Sequence, residues 1–171
     1  LEEALHAARQ ARALATQASS IVDAYDLEAT ALGALGRDPP AWDEPIALFR
    51  ARAAKDELRD DELHALAQVL LRRALVHEGQ GRVDEAIVDA EEAVKTQGET
   101  LAGNDTGMRE SLCRLLMRQG RLDRAREVMT PRLQAGIDDS PMFCVQVVRL
   151  HLALEDRAEA VRVLALGAVL E

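Results

Sequence analysis

Gly81-Arg82-Val83-Asp84-Glu85-Ala86-Ile87 returns further along as Gly120-Arg121-Leu122-Asp123-Arg124-Ala125-Arg126. A copy without glycine follows at Glu155-Asp156-Arg157-Ala158-Glu159-Ala160-Val161, and the chain opens part-way through another, Leu1-Glu2-Glu3-Ala4-Leu5. Glycine turns a chain between two helices at little steric cost, and alanine at a crossing lets helices approach closely. The small position falls at Ala4, Pro45, Ala86, Ala125 and Ala160, in steps of 41, 41, 39 and 35 residues. Repeats of this size predict a solenoid of helix pairs, each unit covering the apolar face of the next.

Composition agrees. Of the 171 residues 48% are hydrophobic but only 2% aromatic, so the core must be built from Ala, Leu and Val. Strong helix formers, five Pro and few β-branched runs predict an all-α chain. The net charge of −9 disfavours nucleic acid and anionic membrane surfaces, which need a basic stripe. No apolar run approaches the roughly 20 residues that span a bilayer. Cys113 and Cys144 sit in apolar helical contexts without metal-ligand spacing. Buried thiols of a cytoplasmic protein are the expectation.

Nine helices are predicted. The first runs from Leu1 to about Ser19. Ser20 with Asp23 resembles a capping box, opening a helix to about Gly36, and Arg37-Asp38-Pro39-Pro40 breaks it. Asp43 caps a helix with Pro45 in its first turn, ending near Glu57. Asp60 and Asp61 open the next, which ends at Gly79–Gly81. Val83 to Gln97 follows, with Gly98 as its stop, then a polar loop, 98–103. Asn104 and Asp105 start a helix ending at Gly120. Leu122 to about Gln134 precedes Gly136. Ser140-Pro141 starts a helix ending near Glu155, and the last begins at Asp156. Within one domain, 1–171, the units are about 20–57, 60–98, 105–136 and 140–171, preceded by a lone second helix at 1–18. Leu1 already lies on a helical pattern and no Met precedes it, so a fragment of a longer protein is expected.

The pattern resembles the tetratricopeptide repeat family across nearly the whole chain. That family places a Gly at the turn, a small residue five further on, and others four and seven beyond that. Gly81, Ala86, Ala90 and Ala93 match all four; Gly120, Ala125 and Met129 match three, with Arg132 in place of the last; Ala4, Ala8 and Ala11 match the second-helix part. The small residue of the first helix maps to Ala74, Cys113 and Val148, and the aromatic position three further on holds His77, Leu116 and His151. Steps longer than the family's 34 residues are similar to solenoids attached to LuxR-type transcription activators and some bacterial signalling enzymes. The resemblance implies a right-handed superhelix of helical hairpins whose first helices line a concave groove. Carried over position by position, it assigns Gln68, Leu71, Arg72, Leu75 and Glu78 to that groove from one unit. The next supplies Glu110, Ser111, Arg114, Met117 and Arg118, and the last Met142, Val145, Gln146, Arg149 and Leu152.

Chemistry is sparse by contrast. Gly79-Gln80-Gly81 lacks the Gly-Lys-Ser/Thr of a phosphate loop. His6, His64, His77 and His151 make no i, i+4 pair. Glu91-Glu92 and Asp60-Asp61-Glu62 are solvated faces and caps. Ser111 and Cys113 have no base nearby in the sequence. No catalytic set, metal site or cofactor is expected. Arg114 and Arg149 hold equivalent positions in consecutive units, and a guanidinium pair suits carboxylate or phosphate. The family's Lys/Asn carboxylate clamp is not matched.

These features predict a non-catalytic protein–protein interaction module that takes a partner peptide or helix, acidic in character, in the groove. Leu71, Leu75, Met117 and Leu152 would supply apolar burial, and Arg114, Arg118 and Arg149 would orient the ligand. The alternative implied by the resembled regulators is an effector-sensing domain of a transcription regulator or signalling enzyme. A third is a dimerising spacer. The terminal run Val161 to Leu170 is apolar without a polar outer face. Either further repeats cover it or the terminal helices self-associate.

Overall fold

The computed structural model describes residues 1–39, 42–53, 59–98, 106–135 and 141–167. Among them are nine α-helices and no strand: α1 Glu2–Leu14, α2 Ala18–Ala34, α3 Asp43–Ala53, α4 Asp60–Gly79, α5 Val83–Gly98, α6 Thr106–Arg118, α7 Leu122–Ala135, α8 Pro141–Ala153 and α9 Arg157–Gly167. The predicted caps and stops at Glu57, Asn104, Asp105, Gly136 and Ser140, the loop 99–103 and the terminal 168–170 lie outside the described residues, as does the side chain of Met142. The chain forms two compact units, Leu1–Asn104 and Asp105–Glu171.

One turn recurs in both units and explains the sequence repeat. The backbone N–H of Arg82 donates to the His77 carbonyl at 2.9 Å, and that of Gly81 to Glu78 at 3.0 Å. This paired closure satisfies carbonyls at the helix end but needs a left-handed residue at the turn. Gly81 supplies it at φ 76° and Gly120 at φ 68°. The second turn repeats the bonds, Arg121 to Leu116 at 2.9 Å and Gly120 to Met117 at 3.0 Å. Glu155 holds the same conformation at φ 60°, with a side chain where the other copies have hydrogen.

In the N-terminal unit α1 packs on α2, α2 and α3 each pack on α4, and α4 packs on α5. Bonds from Arg37 to Glu2 and from Arg9 to Glu28 run in opposite chain directions, so α1 and α2 are antiparallel. Arg73–Asp89 and His64–Gln97 show the same for α4 and α5. The predicted stripe Leu66, Val69, Leu70 and Ala74 is buried, and Ala86, Ala90 and Ala93 face it with no exposed surface to spare. Alanine here sets a close crossing that larger side chains would not permit. Pro45 is buried in the first turn of α3, where its missing N–H costs nothing. Ala8 is buried, whereas Ala4 and Ala11 are exposed, so α1 docks by Leu5 and Ala8.

One helix start and one cap differ from the sequence reading. α2 begins at Ala18, before Ser20, because Ala18 is itself buried and draws the chain into helix early. α4 begins at Asp60 as predicted, but Arg59 is the cap residue, and its N–H donates to the Glu62 carboxylate at 3.1 Å. Glu62 is buried there and also pairs with Arg52 of α3, which ties the two helices together.

In the C-terminal unit α6 packs on α7 and α8, α7 on α8, and α8 on α9. Its core is Leu112, Cys113, Leu115, Leu116, Ala125, Met129, Phe143, Val147 and Leu150, with Ala160 and Val163 from α9. Asp156 caps α9, accepting the Glu159 N–H at 3.2 Å.

Candidate functional site

Spacing alone gives α4 one continuous outer face, since Gln68, Leu71, Arg72 and Leu75 stand at i, i+3, i+4 and i+7. Gln68, Leu71 and Arg72 are half-buried and Leu75 is exposed. The Gln68 and Arg72 edge of this face borders α2 across a cleft of about 300 Å³, and Leu71 and Leu75 continue the face outside its lining. From α2 the cleft takes Ser19, Val22, Asp23 and Asp26; from α4 it takes Asp61, His64, Ala65, Gln68 and Arg72. Val22 and Ala65 are buried and form an apolar floor. The Arg72 Nη2 donates to Asp26 Oδ2 at 2.9 Å across the cleft, while its Nε is buried without a partner. Asp23 and Asp61 are exposed at the rim, and Asp61 faces Arg59 at 3.4 Å.

His64 lies on the rim with one ring nitrogen 2.8 Å from the buried Gln97 Oε1 and the other 3.4 Å from Gln68 Nε2. The second contact ties the Gln68 amide to His64 at the edge of the cleft. The predicted Gln68 and Arg72 are thus brought together with Asp26. The sequence places Asp23 and Asp61 at helix starts, offers His64 no metal pair and does not mark Asp26, so none of the four is assigned to the groove. A helical signal for them exists: 19, 22, 23 and 26 on α2, and 61, 64, 65, 68 and 72 on α4, each follow the i, i+3, i+4, i+7 pattern. A polar stripe of this kind is indistinguishable from a solvated face until a second helix packs beside it.

The C-terminal unit carries the other predicted positions. Glu110, Arg114 and Met117 are half-buried on α6, and Arg118 is exposed on it. Glu110, Arg114 and Arg118 are each engaged with another group. On α8, Val145, Arg149 and Leu152 are exposed at i, i+4 and i+7, and Gln146 is buried. Arg114 and Arg149 stand on helices that pack against each other.

Buried polar groups elsewhere serve the fold. Arg73 places its fork on Asp89 at 2.8 and 2.7 Å, which raises the already high guanidinium pKa. The Tyr25 hydroxyl donates to Glu44 at 2.7 Å; burial first, then that bond, raises its pKa above the ordinary phenol value. Burial, with the Glu110 charge second, pushes the Cys113 thiol up to about 11. Among the described residues no three His, Cys, Asp or Glu side chains converge as metal ligands. Nor, among the described residues, is any helix long and apolar enough to cross a membrane. No protein family, curated protein or solved structure matches the chain.

Proposed function

We propose that this chain is a non-catalytic binding module of tetratricopeptide-like helical hairpins, which holds a partner peptide or helix on the outer faces of its first helices. The carrying observation is the α2–α4 cleft, whose apolar floor and polar rim combine burial with orientation. Support for the hairpin assignment comes from the turn shared at Gly81 and Gly120 and from alanines buried at the crossing behind it. The α6–α8 face, with Met117, Val145 and Leu152 beside Arg118 and Arg149, is the corresponding surface of the other unit. Two buried free thiols suit a reducing cytoplasm.

Selection of a displayed random-peptide library on the folded chain tests this. Enriched peptides should share a pattern and lose binding to Leu71→Asp and Leu75→Asp variants that remain helical. A library with no enrichment, or peptides indifferent to both substitutions, would count against the module.

A further inference from the structure

The negative charge of the chain is not spread evenly. Residues 1–104 contain 20 Asp and Glu against 11 Lys and Arg, whereas residues 105–171 contain ten of each. The whole excess of −9 therefore belongs to the N-terminal unit. In its α2–α4 cleft, Arg72 is the single Arg or Lys among the described lining residues, and Asp26 already holds it at 2.9 Å. Asp23 and Asp61 stand exposed at the mouth, Asp61 with the exposed Arg59 at 3.4 Å, above the floor of Val22 and Ala65.

We infer that this cleft receives a lysine or arginine side chain from a basic partner peptide. The deduction rests on the binding-module reading and reverses, for this unit, the acidic partner that the sequence suggests. A long cationic side chain has the matching anatomy: its methylene stem covers Val22 and Ala65 while its charged head reaches Asp23 and Asp61. Gln68, held by His64, is placed to bond the peptide backbone at the rim. An acidic ligand meets three carboxylates lining the cleft against one guanidinium, whose Nη2 is already on Asp26, with Arg59 outside the lining beside Asp61, a balance that disfavours it. The wider field of the unit steers a basic segment toward the same side of the balance.

The experiment uses a labelled amphipathic Lys/Leu peptide and its Glu/Leu counterpart, titrated by fluorescence anisotropy against the whole chain. The Lys/Leu peptide is expected to bind, and Asp23→Asn with Asp61→Asn to weaken it by about fivefold or more. The charge-matched pair Glu3→Gln with Asp38→Asn, away from the cleft lining, should leave most of the affinity. Arg72→Gln frees Asp26 and should tighten the Lys/Leu peptide. Loss on Arg72→Gln, or binding of the Glu/Leu peptide in preference, overturns the inference and leaves the module standing. Equal weakening by the two charge-matched pairs also overturns it, since diffuse attraction then suffices. Binding of neither peptide overturns both. Circular dichroism of each variant secures that folding is retained.

Discussion

Asp156 donates its backbone N–H to the carbonyl of His151 at 2.8 Å, the same bond that Arg82 makes to His77 at 2.9 Å. The two turns differ at the residue between: Gly81 in one, Glu155 in the other, both left-handed. The bond pattern rather than the glycine is the invariant of the repeat. The C-terminal hairpin adopts it against the local preference of its own residue, because α8–α9 packing and the Asp156 cap over-determine the turn.

Glu155→Gly should therefore stabilise the chain by about 1 kcal/mol, since an L side chain in this conformation costs roughly 1–2 kcal/mol and the entropy cost of glycine takes back part. Gly81→Ala should lose about 1 kcal/mol by the reverse argument, and for backbone reasons alone, because a Cβ there meets nothing within 4 Å. Urea unfolding of both variants checks the pair; an unchanged midpoint for Glu155→Gly would show that the turn is not strained.

Asp89 is buried and receives both ends of Arg73, which also reaches Asp43 at 2.5 Å. Asp89→Ala leaves a half-buried guanidinium with one exposed partner. The expected loss is about 2–3 kcal/mol, below the cost of a fully buried orphan because Asp43 remains. A double-mutant cycle with Arg73→Met should recover much of it, since both charges are then gone.

Ala90 is completely buried on α5 against α4. Ala90→Leu should cost about 1–3 kcal/mol by forcing the two helices apart. Serine at the same place should cost less, as it nearly preserves the volume. Thermal unfolding that ranks leucine as the milder change would mean that the crossing is loose.

The alanine spacing and the glycine turns made the hairpins legible, because both act through local geometry that a sequence carries intact. α4 and α5 follow the predicted bounds to within a residue. The cleft was half legible. Gln68 and Arg72 fall on it by helical register, but the charge of the wall opposite comes from Asp23 and Asp26, about 40 residues away on α2. Nothing in the α4 stripe announces that its arginine is already bonded to Asp26, and so Arg72, read as a groove position, is also an interhelical tie. Ser20 misled for a related reason: cap chemistry is local, and the burial of Ala18 is not.

The Cys113 thiol, pushed up to about 11, gives a pH dependence with a definite sign. Its folded pKa lies above the ordinary thiol value, so the unfolded chain loses the proton first as pH rises. Stability from this group is complete below about pH 9 and falls between about 9 and 11, by roughly 2–3 kcal/mol in all. Cys113→Ala should remove that part of the slope while lowering stability at neutral pH through the lost volume. The checking measurement is urea unfolding of both proteins across the interval, read as their difference, which cancels lysine and tyrosine titration.

Glu28 is buried on α2 and takes Arg9 Nε and Arg12 Nη1 of α1, each at 2.9 Å. Arg12 also lies over the Tyr25 ring, 5.0 Å from its centre. Only Leu5 and Ala8 of α1 are buried, so apolar packing is a thin hold and the carboxylate is a large share of what docks the helix. Glu28→Ala should free α1 locally and leave α4–α5 intact, because no described contact of Glu28 reaches those helices. Hydrogen exchange of residues 2–14 should quicken about tenfold, equivalent to about 1.4 kcal/mol, with exchange in α4 and α5 unchanged. Exchange that quickens equally in α4 and α5 would show instead that α1 unfolds only with its whole unit, and that Leu5 against Leu32 anchors it more firmly than the ion pairs do.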